Sequence, residues 1–207
     1  MKKRIFTLFT IAAIMFSCSS LQQGLSSTYN MINCDYSYKS ISGMSISGMN
    51  LSKGLSVTSI PKLTSILSGS ATSIPLNFIL NLNIKNPNQS AAMLNGLQYV
   101  VSIDDIQFTT GSINQALNIA AGQTQTLPIS IGVDLASLMK SNSKDAVLNI
   151  AKNLAGIGTQ ESNVNVQLKP TFMIGTVPVT SPMYIPVNFS IGGELSHSAS
   201  PLIKFNP

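Results

Sequence analysis

From Ile74 to Lys85 every second residue is apolar: Ile74, Leu76, Phe78, Leu80, Leu82 and Ile84, with Asn77, Asn81, Asn83 and Lys85 among the positions between. A period of two predicts a half-buried β-strand. The strand ends at Asn86-Pro87-Asn88, because proline removes a ladder donor and disfavours helix before it, while Asn tolerates turn geometry. After an Asn95-Gly96 turn the alternation returns in Tyr99, Val101 and Ile103, breaks at Asp104-Asp105, and resumes in the opposite phase with Ile106 and Phe108. That pattern predicts a hairpin. A third strand has Leu127, Ile129, Ile131, Val133 and Leu135 on one face, preceded by the turn-like Ala121-Gly122-Gln123.

Helical spacing is clear in one place. Val147, Ile150, Ala151 and Leu154 recur at three- and four-residue intervals, with Ser143 as N-cap, Asp145 in the first turn and Gly156 at the exit. A second, weaker helix is predicted from Ser59 to about Leu67, with Pro61 in its first turn and Gly69 at its end. Toward the C-terminus alternation resumes through Val164, Val166 and Leu168, then Phe172 and Ile174, then Val187, Phe189 and Ile191. Pro170, Pro178, Pro182 and Pro186 punctuate these runs as edge or turn prolines do. Short strands with turns between them and a single well-capped helix predict an all-β sandwich.

The chain has 207 residues, about one domain once a leader is set aside. The leader is read from Lys2, Lys3 and Arg4, an apolar run from Ile5 to Phe16, and the small residues Ser17 and Cys18. Its apolar run is shorter than the roughly 20 residues that a membrane-spanning helix requires. Three of the 12 basic residues lie in this leader, so nine face 7 acidic ones in the rest of the chain. The formal charge of +5 therefore says nothing about nucleic acid. Charged residues make up 9% of the chain, a low share that fits an envelope or extracellular β protein.

The segment Met15-Phe16-Ser17-Cys18 resembles a bacterial lipobox, which implies cleavage before Cys18 and acylation of that cysteine. The alternative is an ordinary cleaved signal, with Cys18 discarded or bonded to Cys34. Ser19 to Ser27 is polar and aperiodic and reads as a tether. By similarity to known sorting signals, Ser19 rather than Asp after the cysteine implies the periplasmic face of the outer membrane. The expected organisation is a signal peptide at 1–17, a lipidated cysteine and flexible tether at 18–38, the β domain at 39–195 and a polar tail at 196–207.

A family resemblance rests on several features in order. The strand Leu76 to Lys85 ends in Asn86-Pro87-Asn88; a tyrosine-bearing strand follows at Leu97 to Ile103; Gly111 follows the hairpin; Ala121 to Thr124 form an Ala-Gly-Gln-Thr turn; and Leu127-Pro128-Ile129 leads to Val133-Asp134-Leu135. Together they resemble the type 2 late-embryogenesis-abundant family, also called desiccation-related or water-stress domain proteins, over roughly Ser45 to Ile191. The resemblance implies a seven-stranded fibronectin III or immunoglobulin-like sandwich, here with one short helix inserted between strands. It also implies a protective or scaffolding role under water stress. A binding or assembly subunit, holding an envelope protein or glycan by a sheet edge or loops, is the alternative.

Catalytic chemistry has little to build on. His197, the single histidine, lies in the polar tail Ser196-His197-Ser198. Asp104 and Asp105 would point to opposite faces of a strand, or favour the bend in a turn. Asp35, Asp134, Asp145, Glu161 and Glu194 are scattered without metal-ligand spacing. Gly156-Ile157-Gly158 and Gly192-Gly193 lack the context of a phosphate loop and read as turns. Asn86 and Asn88 are read as structural, bonding their own backbone. Met44 and Met49, in a near repeat of Ile-Ser-Gly-Met, are read as packing against a strand edge rather than as a flexible apolar surface. The expectation is a non-enzymatic protein with no cofactor and no metal, held to the membrane through Cys18, with no nucleic-acid partner and an unknown binding site.

Overall fold

Strand β3 (Pro75–Lys85) buries Leu76, Phe78, Leu80, Leu82 and Ile84 and turns Asn77 and Ile79 outward, as its period of two requires. The computed structural model of the chain describes residues 26–52, 58–68, 71–174 and 176–192. The leader, Cys18, and the tail with His197 lie outside these residues.

Around β3 the first sheet has the order β2 (Met49–Asn50), β1 (Asp35–Ile46), β3 and β8 (Thr124–Asp134), all antiparallel. The second sheet is built on β9 (Glu161–Ile174), which pairs β5 (Gly96–Ile103) on one side. On its other side β9 pairs β11 (Ile185–Gly192) along its first half and β10 (Val177–Thr180) along its last residues. The hairpin partner of β5 is β6 (Ile106–Ile113). A two-stranded ribbon of β4 (Ala92–Leu94) and β7 (Leu117–Ile119) completes the strands. The fold is all-β with a few short helices, as the alternation predicts.

Residues from both sheets share one core, including Leu80, Ile84 and Ile129 from the first and Val101, Val166 and Leu168 from the second. Each such side chain taken fully from water contributes about 1.5–3 kcal/mol. Tyr99 of β5 spans the layers, its hydroxyl donating to the carbonyl of Ser130 in β8 at 3.2 Å. Its ring crosses over Gly111, its partner in β6, so closely that a Cβ there would stand 2.4 Å from the Tyr99 oxygen. Only glycine admits that crossing.

At the β5–β6 turn Asp104 and Asp105 both have positive φ, 48° and 64°. This is the backbone of a two-residue type I′ hairpin, which Asp tolerates. Asp104 also accepts from the Asn163 amide at 2.8 Å, fastening the turn to the start of β9.

Among the described residues four helices accompany the strands. Residues 26–32 form α1. Ser59–Ser68 forms α2, and two helices, α3 (Leu135–Ser141) and α4 (Lys144–Leu154), separate β8 from β9 where the sequence pattern predicts one. Leu135 continues the alternation of β8 in sequence, yet Asp134 stops the strand: its carboxylate accepts from the amides of Ala136 and Ile74, both at 2.9 Å. Those bonds hold the Asp134 carboxyl below its ordinary range, the one from Ile74 most of all. Ser143 caps α4 as predicted, accepting from the Ala146 amide.

Two expectations are corrected and one holds. The folded unit starts before Lys39, because Met31 of α1 is fully buried and β1 begins at Asp35; an apolar side chain that reaches the core draws part of the expected tether into the domain. Pro170 is not at an edge or in a turn: it lies within β9, opposite Leu97 of β5. It is tolerated there because on the other side it falls between the end of β11 pairing at Leu168 and the start of β10 pairing at Thr171. Phe172 and Ile174 therefore belong to the same strand as Val164. Met44 is buried in the core and Met49 packs against it, in keeping with the packing role read for them.

Candidate binding cleft between two strand edges

Asn86 and Asn88 are the residues most open to reading as a ligand site, and their side chains are occupied within the protein. Asn86 is fully buried. Its Nδ2 donates to the carbonyls of Ser90 and Ile119, both at 2.9 Å, and to that of Ala120 at 3.3 Å. Its Oδ1 accepts from the amide and the side chain of Asn88. Asn88 in turn donates to the carbonyl of Asn30 in α1, whose own side chain donates to Ser90 Oγ and the Ala91 carbonyl. The tripeptide is thus a junction tying α1, the end of β3 and the β4–β7 ribbon together, with its polar groups satisfied as burial demands.

Cys34 sits beside this junction, buried, its Sγ directed at the Asn30 carbonyl. Burial first, and the neighbouring Asp35 second, push its thiol up to about 12. It is protonated at neutral pH and unreactive for that reason. Among the described residues no three His, Cys, Asp or Glu side chains come together as metal ligands would. Asp104 and Asp105 serve the hairpin turn.

The feature that sequence reading does not locate is a cleft along one flank of the molecule, about 1760 Å³ in volume, lined chiefly by β1 and β11. On its outer side β1 pairs only the two-residue β2, at Ser45 and Ile46, and β11 pairs only β9 among the described residues. Tyr38 of β1 and Phe189 of β11 stack across it, ring centres 4.5 Å apart and planes 16° from parallel. Around them the lining is hydroxyl and amide: Ser37 and Ser42 from β1, Asn188 and Ser190 from β11, and Asn165 of β9, which donates to Asn188. Partial burial raises the Tyr38 phenol, offset by a backbone hydrogen bond at Ile41, so the ring is neutral through the physiological range.

The two edges differ. β1 is interrupted by register shifts between Tyr38 and Ser40 and between Ser42 and Ser45, with Lys39 in the first, and such bulges blunt an edge against pairing. β11 keeps unbroken register with β9 over all eight residues and carries no charge. Its inner face alternates Ile185, Val187 and Ile191 into the core, and its outer edge has no strand partner among the described residues.

The model of the family described as Late embryogenesis abundant protein matches residues 81–187, half of the chain. The chain belongs to that family. The matched span of this LEA domain runs from the middle of β3, through the asparagine junction, to Val187 in β11. No curated protein matches the chain. Among solved structures, a protein from Archaeoglobus fulgidus aligns at 13% identity with a TM-score of 0.36, covering 77% of this chain and 100% of that one. A solution structure from Arabidopsis thaliana aligns at 10% identity with a TM-score of 0.44, covering 79% of this chain and 84% of that one.

Proposed function

We propose that this LEA domain is a non-catalytic binding scaffold of the bacterial envelope. In this reading, acylation of Cys18 holds it at the periplasmic face of the outer membrane. The uncharged edge of β11, with the Tyr38–Phe189 pair beside it, then takes an extended polypeptide segment as an added strand. One observation carries the choice of a sheet edge over loops: among the described residues β11 keeps regular register over eight residues without charge, bulge or a second neighbouring strand, Pro186 near its start being its one blunting residue. Main-chain hydrogen bonds supply affinity in this mode, and side-chain pockets supply selectivity. The hydroxyl and amide side chains around the aromatic pair suit a peptide backbone, which donates and accepts along its length, while Asp35, Lys85, Asp104, Asp105 and Glu161 also line the cleft.

A general protective role under water stress is the second reading, favoured by family membership and by the low share of charged residues. The two are separated by a photo-crosslinking amino acid placed at Asn188 in cells, with Gln107 on the opposite flank as control. The scaffold reading expects discrete adducts from position 188, mapped by mass spectrometry to a short segment of a partner, and their loss in Phe189→Lys. Diffuse labelling equal at both positions would overturn it. Mass spectrometry of the native N-terminus decides acylation: an unmodified Cys18 removes the anchor. Absence of turnover rests on a broad screen against ester, peptide, glycoside and phosphoester substrates, in which turnover abolished by replacing a single residue such as His197, without loss of folding, would end the non-catalytic reading.

A further inference from the structure

Large apolar side chains left in water are unevenly placed on this molecule. Among the described residues nine are exposed by more than a third: Tyr29, Tyr38, Ile60, Ile79, Met93, Val177, Val179, Met183 and Tyr184. Tyr38 belongs to the cleft, Ile79 to the open face of β3 and Ile60 to α2. The remaining six share one end of the fold, and backbone and side-chain hydrogen bonds link the elements that carry them. Asn30 of α1 bonds Ser90 and Ala91 at the entrance to β4, where Met93 lies. The Asn95 amide at the exit of β4 donates to the Thr171 carbonyl of β9, and Thr171 pairs Thr180 of β10. The β10 strand carries Val177 and Val179, and the loop after it carries Met183 and Tyr184. Large apolar side chains gathered in this way at one end are uncommon on a protein that contacts only water.

Acidic residues are distributed along the same axis, although Lys140, Lys144 and Lys152 of α3 and α4 share their end. Of the six acidic residues described, Asp104, Asp105, Asp134, Asp145 and Glu161 lie at or near the opposite end, with the β5–β6 turn, the start of β9 and helices α3 and α4. Only Asp35 lies at the apolar end, in register with Lys85. Lys169 is placed there too, its Nζ 5.1 Å from the centre of the Tyr184 ring. A tyrosine beside a lysine among exposed valine and methionine combines the amphipathic residues that settle at the boundary between lipid headgroups and hydrocarbon.

The same end receives the chain from Cys18. Only eight residue steps separate Cys18 from residue 26, the first described residue of α1, a contour of at most about 29 Å. An anchor on Cys18 therefore delivers this end of the domain, and not the acidic end, to the bilayer.

We propose that the end of the domain formed by α1, β4, β10 and the 181–184 loop seats on the surface of an anionic phospholipid membrane, with Val177, Val179, Met183 and Tyr184 entering the headgroup boundary. This deepens the anchored reading above and rests on it for the occupant. In this arrangement the lipid chains supply attachment and the apolar end supplies orientation, so that the β1–β11 cleft stands along the membrane normal, open to the side.

The chain contains no tryptophan, so Tyr184→Trp and, at the far end, Ile60→Trp each introduce a single fluorophore. The chain from Cys18 onward is coupled through that thiol to maleimide lipid in phosphatidylglycerol vesicles; Cys34, buried and protonated, does not compete. With brominated lipid, Tyr184→Trp is expected to be quenched roughly twofold and blue-shifted, as seating about 5–10 Å into the headgroup boundary entails, while Ile60→Trp is unchanged. Adding Met183→Glu, at an exposed site that folding does not need, abolishes the quenching. Equal quenching of the two variants, or none of Tyr184→Trp while that variant remains coupled, overturns the proposal. Because the lipid is attached chemically, a failure of native acylation removes the anchored reading without altering this result, and the two failures remain distinct.

Discussion

Replacing Asn86 by Ala tests whether the asparagine junction organises the fold. The side chain is fully buried, and its removal leaves the Ile119 and Ser90 carbonyls without the Nδ2 donor at 2.9 Å and the Asn88 amide without its Oδ1 acceptor. An unsatisfied buried polar group costs about 1–3 kcal/mol, and Ile119 is a fully buried strand residue. Partial relaxation nearer the surface at Ser90 lowers the sum, so Asn86→Ala is expected to cost about 2–5 kcal/mol, a large part of the roughly 5–15 kcal/mol that holds a domain folded. Equilibrium urea unfolding of the chain from Cys18, followed by circular dichroism, reads this as a fall in midpoint of about 1–2 M for an ordinary slope. The exposed Asn118→Ala in β7 is the control, expected within about 0.5 kcal/mol of the parent.

Asn86→Asp sharpens the test. It keeps the shape and the acceptor but points a carboxylate at three carbonyl oxygens, which raises its folded pKa above the unfolded value of roughly 3.9. A group raised in this way contributes its stability below the unfolded pKa and loses it as pH rises through the folded one. Asn86→Asp is therefore less stable than Asn86→Ala at pH 7 and regains stability on acidification. If Asn86→Ala matched Asn118→Ala, or if Asn86→Asp showed no such recovery, the junction would be ornament and the argument from buried amides wrong.

Other outcomes follow from the same geometry. Phe78→Ala, on the buried face of β3, is expected to cost about 3–5 kcal/mol, whereas Asn81→Ala on the outer face, where the amide meets only Ser40 and Ser42, costs well under about 1 kcal/mol in the same urea assay. Gly111→Ala drives a methyl group into the Tyr99 ring and is expected to cost about 1–3 kcal/mol or more; in a Tyr99→Leu background the added cost shrinks, and a double-mutant cycle without coupling would refute the steric account. Asp134→Ala removes the α3 cap for about 0.5–2 kcal/mol, while Asp134→Asn keeps the cap but loses the charge. Because the folded Asp134 carboxyl is held below its ordinary value of 3.8, its contribution is present above that value and fades as pH falls through the depressed one, so Asp134→Asn flattens the acid limb of a stability–pH curve.

The strands that bury one face are legible from alternation alone, because a one-residue slip would turn Phe78 or Ile129 into solvent. The α4 helix is legible because Ser143 and Gly156 bracket its period. Elements governed by distant partners are not. β4 and β7 are three residues each, too short to display a period, and exist because they pair each other and rest on the Asn86 junction. α3 reads as more strand until Asp134 is seen to bond Ile74, sixty positions earlier. β1 is obscured by its own two register shifts, which scramble the alternation that identifies a strand. The cleft is invisible for a related reason: one edge lies in β1, which the sequence does not show to be a strand, and the other in β11, whose sequence does not say that it will be last in a sheet.

That distinction bears on how function is distributed over this domain. The family-matched span, 81–187, contains the junction, the Tyr99–Gly111 crossing and β9, which are the parts that make the fold close. β1 and α1 lie outside that span, and β11 ends beyond it. The proposed peptide edge draws on these margins, with Tyr38 from β1 and Phe189 and Ser190 from the last residues of β11, whereas the membrane-facing end takes Tyr29 from α1 and its other apolar residues from exposed positions within the span. A scaffold maintained by internal hydrogen bonds can change such margins at little cost to stability, since surface substitutions seldom move it by more than about 0.5 kcal/mol. Specificity is therefore expected to reside in Phe189, Asn188 and the β10 loop, and transplanting these onto another domain of the same family should carry the crosslinking pattern and the vesicle orientation with them. A transplant that folds but shows neither would place the binding determinants elsewhere on the domain, and with them the function.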